Sequence, residues 1–408
     1  MSNVNSLADI SKPPTGPPLE VLRIFIRLGV TCFGGPIAHI GYFRKEFVVR
    51  RKWIDEHAFA DLVGLCQFLP GPASSQVGFS IGFIRAGYLG AIAAWTGFTM
   101  PSAAMLVLFS YGAGALNGAA GSGLLHGLKL TAVAIVAQAV FGMARNLCPD
   151  RERASIAVMA ALISLLSPAP VAQIGVIVLG GLAGMRLCRR ESPAPFGCVK
   201  IAVSRTVGLT TLGIFFILLA GLPALRGLTG SAGVALFDAF YRSGALVFGG
   251  GHVVLPLLHE AFVAPGWVSD DAFLAGYGAA QAVPGPLFSF AAYLGMVVSP
   301  QPHGLGGAML GLVGIFLPGI LILLGVLPFW DDFRNRAGAQ TMIKGVNAAV
   351  VGLLGAALYD PIWTTSVHGL TDFGIALIGF TLLTVWRAPP LVVVSFSAMA
   401  GTAIAVLR

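Results

Sequence analysis

Thirteen apolar stretches dominate the chain, near 19–48, 58–84, 87–112, 124–145, 154–168, 170–187, 206–222, 232–263, 272–299, 304–330, 342–358, 372–388 and 390–407. Most have the roughly 17–25 residues that a helix needs to cross the hydrocarbon of a bilayer. Only 10% of the residues are charged and 56% are hydrophobic, where a soluble domain carries about 25% charge. The expectation is an all-α polytopic membrane protein whose partner is the lipid bilayer. Residues 1–18 are polar and Pro-rich, without the apolar core of a secretory signal, and read as a tail. The five cysteines are scattered and form no CxxC, so neither a disulfide frame nor a zinc site is expected. The formal charge of +8 reports which loops face the cytoplasm rather than a nucleic-acid partner.

Two of the apolar stretches contain a poor helix sequence. "QFLPGPASSQ" (67–76) and "QAVPGPLFSF" (281–290) each place Pro-Gly-Pro three residues after a Gln, 214 positions apart. Each Pro lacks an N–H and clashes with the preceding turn, and Gly adds backbone entropy. Other matches hold nearly the same offset. "FIRLGVTCFGGP" (25–36) aligns with "FYRSGALVFGGG" (240–251), Glu46 with Glu260, Trp53 with Trp267, and Pro101 falls near Pro318. The chain therefore reads as two repeats, 19–187 and 232–408. A linker with one extra span occupies 188–231.

An odd number of crossings between equal halves inverts the second half relative to the first, a recurrent plan among secondary transporters. The loop at 44–52 carries Arg44, Lys45, Arg50, Arg51 and Lys52, whereas its counterpart at 252–271 has Glu260, Asp270 and Asp271 and no Lys or Arg. If 19–48 and 58–84 are re-entrant hairpins, nearly every Lys and Arg outside the spans becomes cytoplasmic. Thirteen full crossings would put 44–52 outside, so the hairpins are the favoured arrangement.

Irregular backbone at membrane depth survives only inside protein or against a water-filled cavity. Each break begins a new half-helix whose first N–H groups lack partners and whose dipole is positive there. Such an end is a ready anion site. Pro36 and Pro72 suit the opening of a half-helix. Ser74 and Ser75, with Ser289 in the second half, can add hydroxyl donors. Four half-helix ends meeting between the repeats would make one anion site. A simple kink at Pro-Gly-Pro, or tight packing at Phe-Gly-Gly, is the plainer alternative.

Arg27 and Arg242 are equivalent and lie within apolar stretches, where a charge usually faces a cavity or partner. Snorkelling to the interface is the alternative, above all for Arg23. Lys129, opposite Asn347, cannot be a symmetric ligand. Glu46, Glu260 and Lys129 are candidates for coupling or charge relay, with plain ion pairing or helix capping near the hairpin ends the alternative for the two glutamates. His39, His252 and His259 are candidate proton carriers, with a polar interfacial place the simpler reading. No GxxxxGK[ST], HExxH or Cys/His cluster is present, which argues against direct ATP use, a metal centre or an enzyme. No cofactor is implied, and a homo-oligomer is compatible with the sequence.

"FIRLGVTCFGGPIAHIGYFRKEF", "WIDEHAFADLVGLCQFLPGPASSQ", "FGGGHVVLPLLHEAFV" and "NAAVVGLLGAALYDPIW" together resemble the chromate ion transporter family in its long, two-domain bacterial form. The resemblance covers nearly the whole chain. It implies an inner-membrane protein that expels chromate from the cytoplasm and confers resistance, with sulfate as the structural analogue. It also implies a functional neighbourhood of Arg27, Phe33, Gly34, Gly35, Pro36, Gln67, Pro70, Gly71 and Pro72. The second-half set is Arg242, Phe248, Gly249, Gly250, Gln281, Pro284, Gly285 and Pro286. Gly251 departs from the first half, which has Pro36 there. A transporter of sulfate or another oxyanion, a channel, and a membrane-embedded enzyme are the other readings.

Overall fold

A computed structural model describes residues 16–113, 118–167, 170–188, 203–248, 251–330 and 337–407. Among them the chain is helical throughout, without strands. Six helices are long and apolar enough to cross a membrane by length and composition.

The first half begins with short pieces: α1 (Pro18–Thr31), α2 (Gly35–Phe43, continued by a π-helical turn to Arg50) and α3 (Glu56–Phe68). At fourteen residues α1 is about 21 Å long, well short of a ~30 Å hydrocarbon core. After the Pro-Gly-Pro break comes α4 (Ala73–Ala113), itself bent by non-helical backbone at Ala86 and Gly87. Three longer elements follow: α5 (Ala119–Leu147), α6 (Arg151–Leu166) and α7 (Pro170–Leu187).

Ion pairs fix where the short pieces end. Glu20, at the start of α1, bonds Arg51, just past the end of α2, at 3.6 Å and Arg85, at the bend of α4, at 2.9 Å. Arg51 also holds Glu46 at 2.6 Å, and Arg85 lies over the Trp53 ring. The chain thus enters along α1 and returns along α2 to the same end, then enters along α3 and returns along the first limb of α4. Only past Gly87 does it run on to the opposite end. Burial disfavours ionisation of Glu46, but hydrogen bonds from Arg51 and Arg50 outweigh it and hold the carboxyl below the usual carboxylate range.

The second half repeats the plan after α8 (Arg205–Thr229). Its elements are α9 (Ala232–Ala245), α10 (Val254–Phe262), α11 (Asp270–Ala282), α12 (Phe290–Val297), α13 (Gly304–Val326), α14 (Ala337–Ala357), α15 (Leu370–Thr384) and α16 (Pro390–Leu407). Here Trp267, between α10 and α11, accepts at its carbonyl from Ser299 N at the end of α12 and lies beneath Arg226 at the end of α8. Both excursions again return to the end where they began. Arg205 and Arg226 sit at the two ends of α8, about 30 Å apart.

The halves are interwoven. Helix α5 packs on α16, and α7 on α14. Both contacts run through glycines, where Gly127 meets the Ser397 backbone and Gly345 meets that of Gly180. Helix α1 packs against the second limb of α4, and α9 in the same way against α13.

Candidate functional site

The four chain breaks meet. Gly71 N donates to Val247 O at 2.8 Å, and Gly285 N donates to Cys32 O at 2.9 Å. Each Pro-Gly-Pro of one half is therefore tied to the backbone just before the Phe-Gly-Gly of the other. Gly71 and Gly285 have φ of +114° and +102°, a region that side chains disfavour. That matched conformation lets each peptide N–H point across the interface. A Cβ on Gly71 would fall 2.9 Å from Gly319 Cα, and one on Gly285 would fall 2.9 Å from Ser102 Oγ. Gly319 and Ser102 each follow the proline inside a long helix, Pro318 in α13 and Pro101 in α4.

Little room is left beside Gly251, the position at which the second half departs from the first. A Cβ there would lie 3.2 Å from Pro36 Cγ. Two prolines at these equivalent positions would compete for one space. Gly251 opens a single 3-10 turn leading into α10, while Pro36 sits in the first turn of α2, where its missing N–H leaves no bond unmade.

Polar groups gather around these ends. Ser289 Oγ lies 2.6 Å from Ser102 Oγ. Ser74 Oγ lies 3.3 Å from His39 Nδ1. Gln76 Nε2 donates to the carbonyls of Pro70 and Gly319, both at 2.9 Å, and so ties the first Pro-Gly-Pro to α13. Tyr277 OH lies 2.8 Å from His252 Nδ1. Ser75 Oγ, His39 Nε2 and Gln281 Nε2 are buried without a protein partner, a state native interiors mostly avoid unless something else fills it. His39 and the serines are thus buried inside the protein.

Other expected residues lie elsewhere. Arg27 is exposed on α1, and Gln67 is exposed on α3. Phe33, Gly34 and Gly35 form the first break, with φ of +101° and +77° at the two glycines. Phe248 packs against the main core, while Gly249 and Gly250 lie outside the described residues. Glu46 belongs to the ion-pair cluster at the hairpin ends. His259 pairs with Asp270 at 2.6 Å at the other end. Lys129 reaches Asp271 at 2.7 Å in a groove that also holds His126, His368 and Asp372.

Arg242 donates from Nε to Asp238 Oδ1 at 2.8 Å and lines a cavity of about 610 Å³ with Glu260 and Arg226. Sequence reasoning passed over Asp238, Gln76 and Ser102. The signal for Gln76 was its place at the end of "QFLPGPASSQ". For Ser102 it was its place after the repeated internal proline. Asp238 faces Arg23 in the first half, so the repeat gave no sign of it.

Comparison with known proteins gives the family. The chromate transporter profile matches residues 19–185 and again 234–402. The chain belongs to the chromate transporter family. It is 26% identical over 392 residues to the probable chromate transport protein of Synechococcus elongatus, covering 94% of each chain. It is 28% identical to the chromate transport protein of Pseudomonas aeruginosa, over 92% of this chain and 89% of that one. A shorter relative, the uncharacterized transporter YwrA of Bacillus subtilis, matches 37% of this chain but 83% of its own length, at 29% identity. No solved structure matches. The chain is a polytopic all-α membrane protein of a transporter family.

Proposed function

We propose that this protein is a secondary transporter that exports chromate across the inner membrane and so confers chromate resistance. The crossing of the four breaks is its central oxyanion site. The carrying observation is the reciprocal pair of bonds, Gly71 to Val247 and Gly285 to Cys32, which brings four half-helix starts together. Unpaired N–H groups and the positive ends of helix dipoles favour a dianion there. The buried, unpartnered Ser75, His39 and Gln281 atoms supply further hydrogen-bonding capacity. Arg27 and Arg242 each lie about one turn before a break and serve as the cationic approach from the two sides of the membrane. Glu46 serves the inner end as a structural clamp. A tetrahedral dianion presents the same four oxygens whether it is chromate or sulfate, so sulfate competes for the site.

The two halves are inverted repeats joined through α8, with both pairs of short helices re-entrant. The Lys and Arg distribution supports a cytoplasmic N-terminus and 44–52 loop, with 263–271 and the C-terminus outside. Uptake of radiolabelled chromate into everted membrane vesicles tests the activity. Accumulation that needs the ion gradient or potential, and that sulfate inhibits, supports the reading. Vesicles with the protein that accumulate no more chromate than empty ones refute it. Labelling of a cysteine placed at residue 51 by an impermeant reagent in intact cells would refute the orientation.

A further inference from the structure

A 3-10 turn, Gly251–Val253, stands where the second Phe-Gly-Gly stretch ends and α10 begins. Its Gly251 faces Pro36 of the first half, so the turn lies against the crossing. His252 is the polar side chain of this turn. Its Nδ1 lies 2.8 Å from the Tyr277 hydroxyl on α11. The Tyr277 ring is fully buried and meets the Phe290 ring edge-on at 5.8 Å, which holds the phenol in place. The turn packs on α10, on α14 and on the 3-10 turn Leu287–Ser289. Among the described residues none of these gives His252 an ion-pair partner; the histidines with one are His126 and His259.

The pair fixes the state of the imidazole. A buried phenol O–H needs an acceptor, and a ring nitrogen that accepts carries no proton. Tyr277 donating to Nδ1 therefore puts the ring proton on Nε2. Protonation to imidazolium would turn Nδ1 into a donor and set it against the Tyr277 O–H. The ring is held neutral, with its one N–H on the edge away from Tyr277. His252 is only half-buried, and its hydrogen bond among the described residues is the one through Nδ1. The first half brings an imidazole to the crossing by another route. His39 Nδ1 lies 3.3 Å from Ser74 Oγ, and its Nε2 is buried without a partner. The repeat does not relate the two, since His252 is matched by Ile37 and Tyr277 by Val63.

We propose that His252 is an oxyanion ligand supplied by the second half, presented to the crossing as a neutral Nε2–H donor by Tyr277. The proposal rests on the oxyanion-transport reading above and adds a residue and its tautomer to it. A fully deprotonated tetrahedral oxyanion offers acceptors alone, so an imidazole with a bare Nε2 would repel it and one with Nε2–H binds it. A neutral donor makes a charge-assisted bond to the anion without placing a further charge at membrane depth. Tyr277 touches His252 and not the anion, and is a positioning residue. With His39 on the other side, each half contributes one imidazole to the grip. His252 is thereby a ligand and not a proton carrier.

The test is chromate binding to the purified, detergent-solubilised protein, joined to ¹⁵N resonances of labelled histidine. His252→Leu removes the donor and should weaken binding about tenfold, the loss expected for one hydrogen bond to a charged ligand. His252→Gln offers an amide N–H and should recover part of it. Tyr277→Phe keeps the ring and its packing but frees the imidazole, and should weaken binding several-fold. The resonances that vanish in His252→Gln should report, in the parent, a neutral ring protonated at Nε2, and chromate should shift that nitrogen. In Tyr277→Phe the same ring should show a mixture of tautomers, which a merely structural role for the hydroxyl would not produce. Between about pH 7 and 8.5, where chromate is the dianion, the parent's affinity should be flat, whereas binding by an imidazolium falls tenfold per unit rise. A ring protonated at Nδ1, or at both nitrogens, overturns the proposal. Folded His252→Leu and Tyr277→Phe proteins that bind as tightly as the parent also overturn it. A parent that binds no chromate at all refutes the transport reading instead.

Discussion

The hairpin pair at 18–85 and the pair at 232–297 share a path but spend their charges differently. In the first, Glu20, Glu46, Arg50, Arg51 and Arg85 close the hairpin ends in one ion-paired cluster, and Arg27 is left exposed. In the second, among the described residues, the matching ends carry no such cluster, only the His259–Asp270 pair. They are held by backbone bonds from Ser299 and by the Arg226–Trp267 contact. Its Arg242, Asp238 and Glu260 line a cavity together with Arg226. One hairpin pair is latched at its mouth by a cluster of ion pairs, and the other by backbone bonds, a cation–π contact and a single His–Asp pair. Duplication supplied the path and the breaks, and later substitution supplied the difference between the two faces.

The largest expected effect tests the part the halves share. Gly71→Ala and Gly285→Ala both force a side chain into a positive-φ conformation, at about 1–3 kcal/mol each. At Gly71 the new Cβ also meets the Gly319 backbone, whereas at Gly285 it meets first the movable Ser102 hydroxyl. Gly71→Ala should therefore lower the melting temperature in detergent more than Gly285→Ala, and both should abolish chromate uptake. Equal and negligible shifts would mean that the crossing carries little of the fold.

Much of this was legible in the sequence. The offset between the halves, the doubled Pro-Gly-Pro and the short α1 pointed to paired breaks, because glycine and proline act through the local backbone. The partners of the breaks were not legible. That Gly71 N bonds Val247 O depends on how the halves interlock, which no residue spacing encodes. Gly251 shows the limit well. As a sequence it weakens the repeat, yet in space it faces Pro36, where a Cβ would be a tight fit.

The next effect separates the two arginines. Arg27→Gln and Arg242→Gln should each reduce chromate uptake at least tenfold at unchanged protein level. Lysine at either place should rescue only in part, since an ammonium cannot grip an oxyanion in bidentate fashion. Uptake near the parent's in Arg27→Gln would reduce that residue to a snorkelling side chain and sharpen the contrast between the halves. A smaller change comes from exchanging the unequal pair. Gly251→Pro should cut uptake several-fold through its contact with Pro36, and Pro36→Gly in the same chain should restore part of it. Failure of the second change to help would show that the two positions do not compete for one space.

The smallest effect tests the latch. Glu46→Gln removes two arginine contacts on a partly exposed cluster and should cost about 1 kcal/mol, less at high salt. Because the folded carboxyl is held below its ordinary range, its contribution is fully present above the unfolded value of about 4.3. It is lost as pH falls through the folded value. Melting curves of parent and Glu46→Gln should therefore converge on acidification. Curves that stay equally far apart at low pH would remove the ion pair as the cause.

The central claim is that the breaks exist to hold an oxyanion, and chromate binding to purified protein tests it most directly. Replacing Pro70-Gly71-Pro72 or Pro284-Gly285-Pro286 with three alanines lets a helix run through. Alanine is the better helix former by about 1 kcal/mol against glycine and about 3 against proline, so local helix is favoured while the free N–H groups are consumed. Each charge-assisted hydrogen bond lost is worth roughly 1.5–3 kcal/mol. Either variant, recovered folded and monodisperse, is expected to bind chromate at least a hundredfold more weakly than the parent, and by a similar factor in both halves. Folded triple-alanine proteins that bind as tightly as the parent would contradict the account and leave the breaks as hinges alone.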